Sequence, residues 1–155
     1  MVSANDPILK KMEGMQWSWA DKDPAAKQEL TNRIVQTGHS RRLVPYSDLV
    51  AGVEFRIPTI QHGNPYSIDT TDWEGLDRAL IGEFLGLIST DSYRAGGFFA
   101  TAIVVDKSEN KPSDHFFEWM EWLSVLPNLK EDTVLSFWAK QVVLAHEYYK
   151  HHNHH

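Results

Sequence analysis

Histidines, acids and lysines recur in this sequence in groups whose spacing can be held against the chemistry each would perform. His146-Glu147 precedes His151-His152. A zinc-binding helix of the zincin type places two histidines at i and i+4, so that both imidazoles reach one metal. Here Lys150 holds the i+4 position and His151 follows His146 by five residues, which is the wrong helical geometry. Asp114, Glu118 and Glu121 recur at i, i+4 and i+7, with His115 beside them. Carboxylates aligned in this way can hold a divalent cation, and Asp114, His115 and Glu118 would then serve a small metal-dependent hydrolase or nuclease. The competing reading is a solvated helix face turned away from Phe116 and Met120. Asp106, Glu109 and Lys111 echo the two acids and lysine of a nuclease, yet no acid stands on a preceding strand, and a charged turn accounts for them. His62 sits in a loop with no Ser or Asp partner fixed by spacing, so a surface histidine accounts for it better than a general base. His39-Ser40-Arg41-Arg42 is the one basic cluster, and Arg41 and Arg42 are of the type that contacts phosphate.

The sequence holds no cysteine, which excludes disulfides, thiolate metal sites and a cysteine nucleophile, and fits a reducing cytoplasm. It also lacks a glycine-rich phosphate loop and the G-x-S-x-G nucleophile elbow. No catalytic residue, metal ligand or cofactor is therefore assigned. The 155 residues, 42% hydrophobic and 23% charged, favour one globular domain, residues 1–150, followed by a His-rich tail at 151–155. No apolar run approaches the roughly 18 residues of a membrane span, and the N-terminus lacks the basic-then-apolar order of a signal peptide. A cytoplasmic protein with no membrane partner is expected. Residues 72–121 carry ten acids against four Lys/Arg, which accounts for the whole net charge of −6.

The elements that must position these side chains read as mainly α with a small β-sheet. Asp6-Pro7 and Asp23-Pro24 each pair an N-cap with proline at the first helical position. They introduce helices over about 7–17 and from 24 to a stop at Gly38. Leu43-Val44-Pro45 is extended, and Tyr46 opens a brief helix with Ser47 as its cap. Residues 53–70 form a long loop with Phe55–Ile57 extended. Thr71 and Glu74 fit a capping box for a helix to about Ser89, whose Trp73, Leu76, Leu80, Phe84 and Ile88 share a face. Phe98–Val105 reads as a buried strand feeding a polar turn, Asp106–Lys111. Ser113 then caps a helix containing Phe116, Met120 and Leu123. The last helix, about 131–150, buries Val134, Trp138, Val142, Ala145 and Tyr149.

This order of a lead-in strand, a short helix, a longer helix, a strand and a turn resembles a winged helix-turn-helix core over about 39–117 with flanking N- and C-terminal helices. More specifically, it is similar to the DNA-binding domain of the alkylguanine-DNA alkyltransferases and alkyltransferase-like proteins. Tyr46-Ser47-Asp48-Leu49-Val50 stands where that family has Tyr-Gly-Glu-(Ile/Leu)-Ala. Arg78-Ala79-Leu80-Ile81-Gly82 stands for Arg-Ala-Val-Gly, and Ala100–Val105 for Pro-Cys-His-Arg-Val-Val. Thr101 replaces the family's cysteine, Ala102 its histidine and Ile103 its arginine, so alkyl transfer is excluded. The resemblance implies Tyr46 as a base-displacing tyrosine, Arg78, Ser92, Tyr93 and Arg94 near the groove, and Lys107 and Lys111 on the wing. Leu85–Ser89, Ala102–Val105 and Pro112–Phe117 also resemble a group of uncharacterised bacterial and phage proteins. The expected function is a non-enzymatic recognition module that binds DNA or a partner protein, with a homodimer as one form. Asp72, Glu74, Asp77 and Glu83 on the would-be reading helix oppose phosphate. An acidic inhibitor, an immunity or anti-defence protein holding a basic partner, is the alternative beside the hydrolase.

Overall fold

The computed structural model describes residues 1–152. Six helices and a two-stranded sheet follow in the order α1 (Pro7–Glu13), α2 (Pro24–His39), β1 (Val44–Pro45), α3 (Tyr46–Val50), α4 (Gly75–Gly96), β2 (Val104–Val105), α5 (Asp114–Trp122) and α6 (Glu131–His151). The fold is mainly helical with a small, open sheet, in which β1 and β2 run parallel with Val44 opposite Val104 and Pro45 opposite Val105. Asp6 accepts the N–H groups of Ile8 and Leu9, and Asp23 that of Ala26, so both expected N-caps form. Asp23 also accepts the Arg56 N–H at 2.7 Å, pinning the start of α2 to the 53–57 segment.

α4 is the central helix. Leu80, Phe84 and Ile88 enter the larger core with Leu30 and Ile34 of α2, Leu49 of α3, and Phe55 and Ile57 of the long loop. Tyr93 enters a smaller core with Leu9, Met12, Phe99, Met120, Leu123 and Leu126. The helix begins later and ends later than the sequence pattern indicates. Thr71 turns back on Asp69 through its N–H and hydroxyl, and the capping box is made three residues on by Glu74 and Asp77. The helix passes Ser89 and stops at Gly97, whose φ of +73° supplies a left-handed cap. Gly38 is not a terminator. It lies inside α2, where a Cβ would stand 2.5 Å from a Tyr149 ring carbon, so its role is to let α2 and α6 approach.

The expected strand Phe98–Val105 is reduced to Val104–Val105, and residues Ala100–Ile103 coil into a 3₁₀ turn. The reason lies in its neighbours. The segment threads between the two cores, with Phe98 and Ile103 in the larger and Phe99 and Ala102 in the smaller. Helices flank it, so side chains replace the missing ladder. Ser92 Oγ accepts the Ala100 N–H at 2.9 Å, Gln141 Oε1 accepts the Phe99 N–H at 3.0 Å, and Trp138 Nε1 donates to the Ala102 carbonyl at 2.8 Å. Beyond β2, the turn is closed by a single antiparallel bridge between Asp106 and Lys111. α6 buries Val134, Ala145 and Tyr149 as its periodicity requires, but Trp138 and Val142 are only half-buried and Gln141 is buried in addition, and the helix runs to His151, so the expected tail begins inside a helix. Residues 153–155 of that tail lie outside the described residues.

Candidate recognition surface

The structure disperses the eight candidate contact residues instead of gathering them on one face. Tyr93 is buried, stacked on Phe99 with ring centroids 5.1 Å apart, and donates its hydroxyl to Asp6 at 3.0 Å. Burial and that carboxylate push its pKa up to about 12. Arg94 is bound to Glu13 at 2.8 Å and Asp91 at 3.0 Å, tying α4 to α1, and the Glu13 carboxylate raises its pKa further. Tyr46 uses its hydroxyl to accept the Ser113 N–H at 3.0 Å, and burial raises its pKa. These three side chains hold the fold together. Lys107 and Lys111 sit on the turn, where Lys111 faces Glu109 at 3.7 Å. Asp106 spans the turn by accepting from the Ser108 hydroxyl and from the N–H groups of Ser108 and Glu109, and the Ser108 hydroxyl leads in lowering its pKa. Arg78 is exposed on the first turns of α4. Arg41, at φ +54°, reaches Glu147 of α6 at 3.8 Å, and the Arg42 carbonyl meets His146 Nε2 at 2.9 Å.

The acidity of residues 72–121 is not one surface either. Asp77 is buried, joined by the Tyr66 hydroxyl and accepting the Glu74 N–H at 2.9 Å. The Asp77 hydrogen bond is the main cause that lifts the Tyr66 pKa to about 12. Glu83 accepts the backbone N–H groups of Ser18, Trp19 and Ala20 between 2.8 and 3.2 Å, fastening the chain after α1 to α4. Asp91 is held by Lys27 at 2.6 Å as well as by Arg94. With Asp106 in its turn, these acids are consumed by architecture.

Of the acids in this third of the chain that stay exposed, Asp72, Glu74 and Glu109 are spread over the entry to α4 and the turn, and the other three share α5. Asp114, Glu118 and Glu121 are exposed and, among the described residues, form no ion pair with a Lys or Arg. His115, 93% exposed at its side chain, stands 3.5 Å from Glu118. Among the described residues no three His, Asp or Glu side chains converge as a metal site would need, so the i, i+4, i+7 stripe is a charged face. Trp122 closes the helix at 49% exposure. Lys11 of α1 places its ammonium 4.1 Å from the Trp122 ring centroid and donates to the Trp122 carbonyl. Such a contact is a cation–π interaction, so the ring already takes a cation from within the chain. Beside it, the Trp119 indole N–H is buried without a partner among the described residues. Aromatic richness alone marks Trp122 as suited to a core or a partner surface, but its pairing with Lys11 is not legible in the sequence, because the two are 111 positions apart and no local pattern joins them. The one other signal was a tryptophan at i+4 from Glu118 on the polar side of the helix.

α4, the helix that the winged-helix resemblance assigns to reading DNA, is enclosed. Leu80, Ile81, Phe84, Gly86, Ile88, Ser89, Thr90, Ser92 and Tyr93 are all buried, and its exposed residues are confined to the first turns around Leu76, Arg78, Ala79 and Gly82 and to its end at Ala95 and Gly96. No helix among the described residues is long and apolar enough to cross a membrane. Comparison with protein-family models, with curated proteins and with solved structures finds no match.

Proposed function

We propose that this chain is a non-enzymatic recognition module that docks a basic segment of a partner protein on the outward face of α5. The observation that carries the reading is the pairing of uncompensated carboxylates at 114, 118 and 121 with the half-exposed, cation-accepting Trp122. Tryptophan is the residue type most enriched at binding hot spots, and carboxylates around it steer and orient a basic partner. On this reading the partner's Lys or Arg takes the place of Lys11 over the indole. In its finer form, the winged-helix-like core of 39–117 is a protein-interaction scaffold. The enclosure of α4 supports that use over groove binding. The DNA-binding form keeps one observation of its own. Arg41 and Arg42 meet the end of α6 through Glu147 and His146, and His39 meets it through the Tyr149 carbonyl, so the basic last turn with Lys150 and His151 lies beside them.

Titration of the full chain with a short Lys/Arg-rich peptide, an acidic control peptide and a DNA duplex separates these forms. The proposal expects saturable, salt-weakened binding of the basic peptide alone, lost in a Glu118→Lys, Glu121→Lys, Trp122→Ala variant. Tighter binding of the duplex, or retention of the peptide by that variant, overturns it.

A further inference from the structure

We infer that α6 is also a self-association surface, through which two copies of this chain pair antiparallel about a two-fold axis. On the side of α6 facing away from Val134, Gln141, Ala145 and Tyr149 lie Asp132, Ala139, Val143 and Lys150. At about 3.6 residues per turn, residues 132 and 150 fall on one line along the helix, with 139 and 143 within roughly 20° of it. Val143 is 59% exposed, and Leu135, about 60° round the helix from the line, is also among the exposed large hydrophobics.

The line is symmetric in a particular way. Its midpoint is level with Gln141, and Asp132 and Lys150 stand at equal distances on either side, as do Ala139 and Val143. A two-fold pair requires that if residue i meets j, then j meets i. An antiparallel partner centred there sets Asp132 against Lys150 and Ala139 against Val143, each contact made twice. The first turn of α6 is acidic, with Glu131 and Asp132, and its last turn basic, with Lys150 and His151. Arg41 adds to the basic end, where Glu147 is already engaged by Arg41 at 3.8 Å and His151 at 3.9 Å. Each pole therefore meets its opposite, and the antiparallel helix dipoles agree. A parallel pair would set acid on acid and base on base. A single helix pair falls toward the small end of specific interfaces, so the dimer is weak, in the micromolar range.

Sedimentation equilibrium of the full chain over a wide concentration range tests this, with helical content followed by circular dichroism. The mass should rise from one chain to two. Asp132→Lys and, separately, Lys150→Asp should each weaken the dimer at least about tenfold, the effect of losing about 1.4 kcal/mol. The combined swap should restore it. Because the chain has no cysteine, an Ala139→Cys, Val143→Cys variant should form a covalent dimer on oxidation. A chain that stays monomeric throughout, single swaps that dimerise like the parent, or a folded double swap that fails to recover overturns the inference. Loss of basic-peptide binding at α5 would leave it untouched, because that face shares no residue with this one.

Discussion

Ser92→Ala is the sharpest test of how the Phe98–Val105 segment is held. The buried Ser92 hydroxyl accepts the Ala100 N–H at 2.9 Å and points its single proton toward the Phe98 carbonyl at 2.9 Å or the Ser89 carbonyl at 3.0 Å. Alanine keeps the helix and removes one oxygen. The Ala100 N–H then has no acceptor at a position that is fully buried. An orphaned buried donor costs about 1–3 kcal/mol, and the weakened Phe98 carbonyl adds to it, so a loss of about 2–3 kcal/mol is expected. For a domain of this size, each kcal/mol moves Tm by roughly 2–4 °C, which gives a fall of about 5–10 °C. Urea denaturation supplies the free energy, and hydrogen exchange at the Ala100 amide should accelerate in the variant. Thr59→Ala, at an exposed turn position away from α4 and α6, is the control, with a change within about 0.5 kcal/mol. A Ser92→Ala loss no larger than that control would refute the reasoning, because it would mean that another group satisfies the segment.

Gly38→Ala places a methyl 2.5 Å from Tyr149 Cδ2, so α2 and α6 must separate, and a loss of about 1–3 kcal/mol in chemical denaturation is expected. The Tyr66 and Tyr93 phenols, both raised from 10.0 to about 12, are held protonated by the folded state. Their contribution to stability is intact below pH 10 and is lost as pH rises toward 12, because the unfolded chain releases those protons first. Unfolding curves across that window should show the decline, and Tyr66→Phe with Tyr93→Phe should reduce it without abolishing it, because burial also raises the Tyr46 and Tyr149 phenols.

The caps at Asp6 and Asp23 and the buried face of α6 were legible in the sequence because each is set within a few residues by backbone N–H groups and helical period. The α5 stripe was legible for the same reason, and its separation from Phe116 and Met120 followed from spacing alone. The roles of Tyr46, Tyr93 and Arg94 were not, since Ser113, Asp6 and Glu13 meet them only across the folded chain. Charge counting located the acidic third but could not say which acids reach solvent.

The sequence by itself determined a cysteine-free, mainly helical chain with its negative charge between residues 72 and 121. Only the tertiary structure decided that Glu83 and Asp77 turn to backbone amides, that α5 keeps its carboxylates and Trp122 outward, and that Phe98–Ile103 is not a strand. Local pattern fixes which face of a helix is apolar. Whether an extended, apolar run becomes a strand depends on what lies beside it, and here the neighbours are Ser92, Trp138 and Gln141 of two helices. Their side chains satisfy its backbone where a neighbouring strand would have done so.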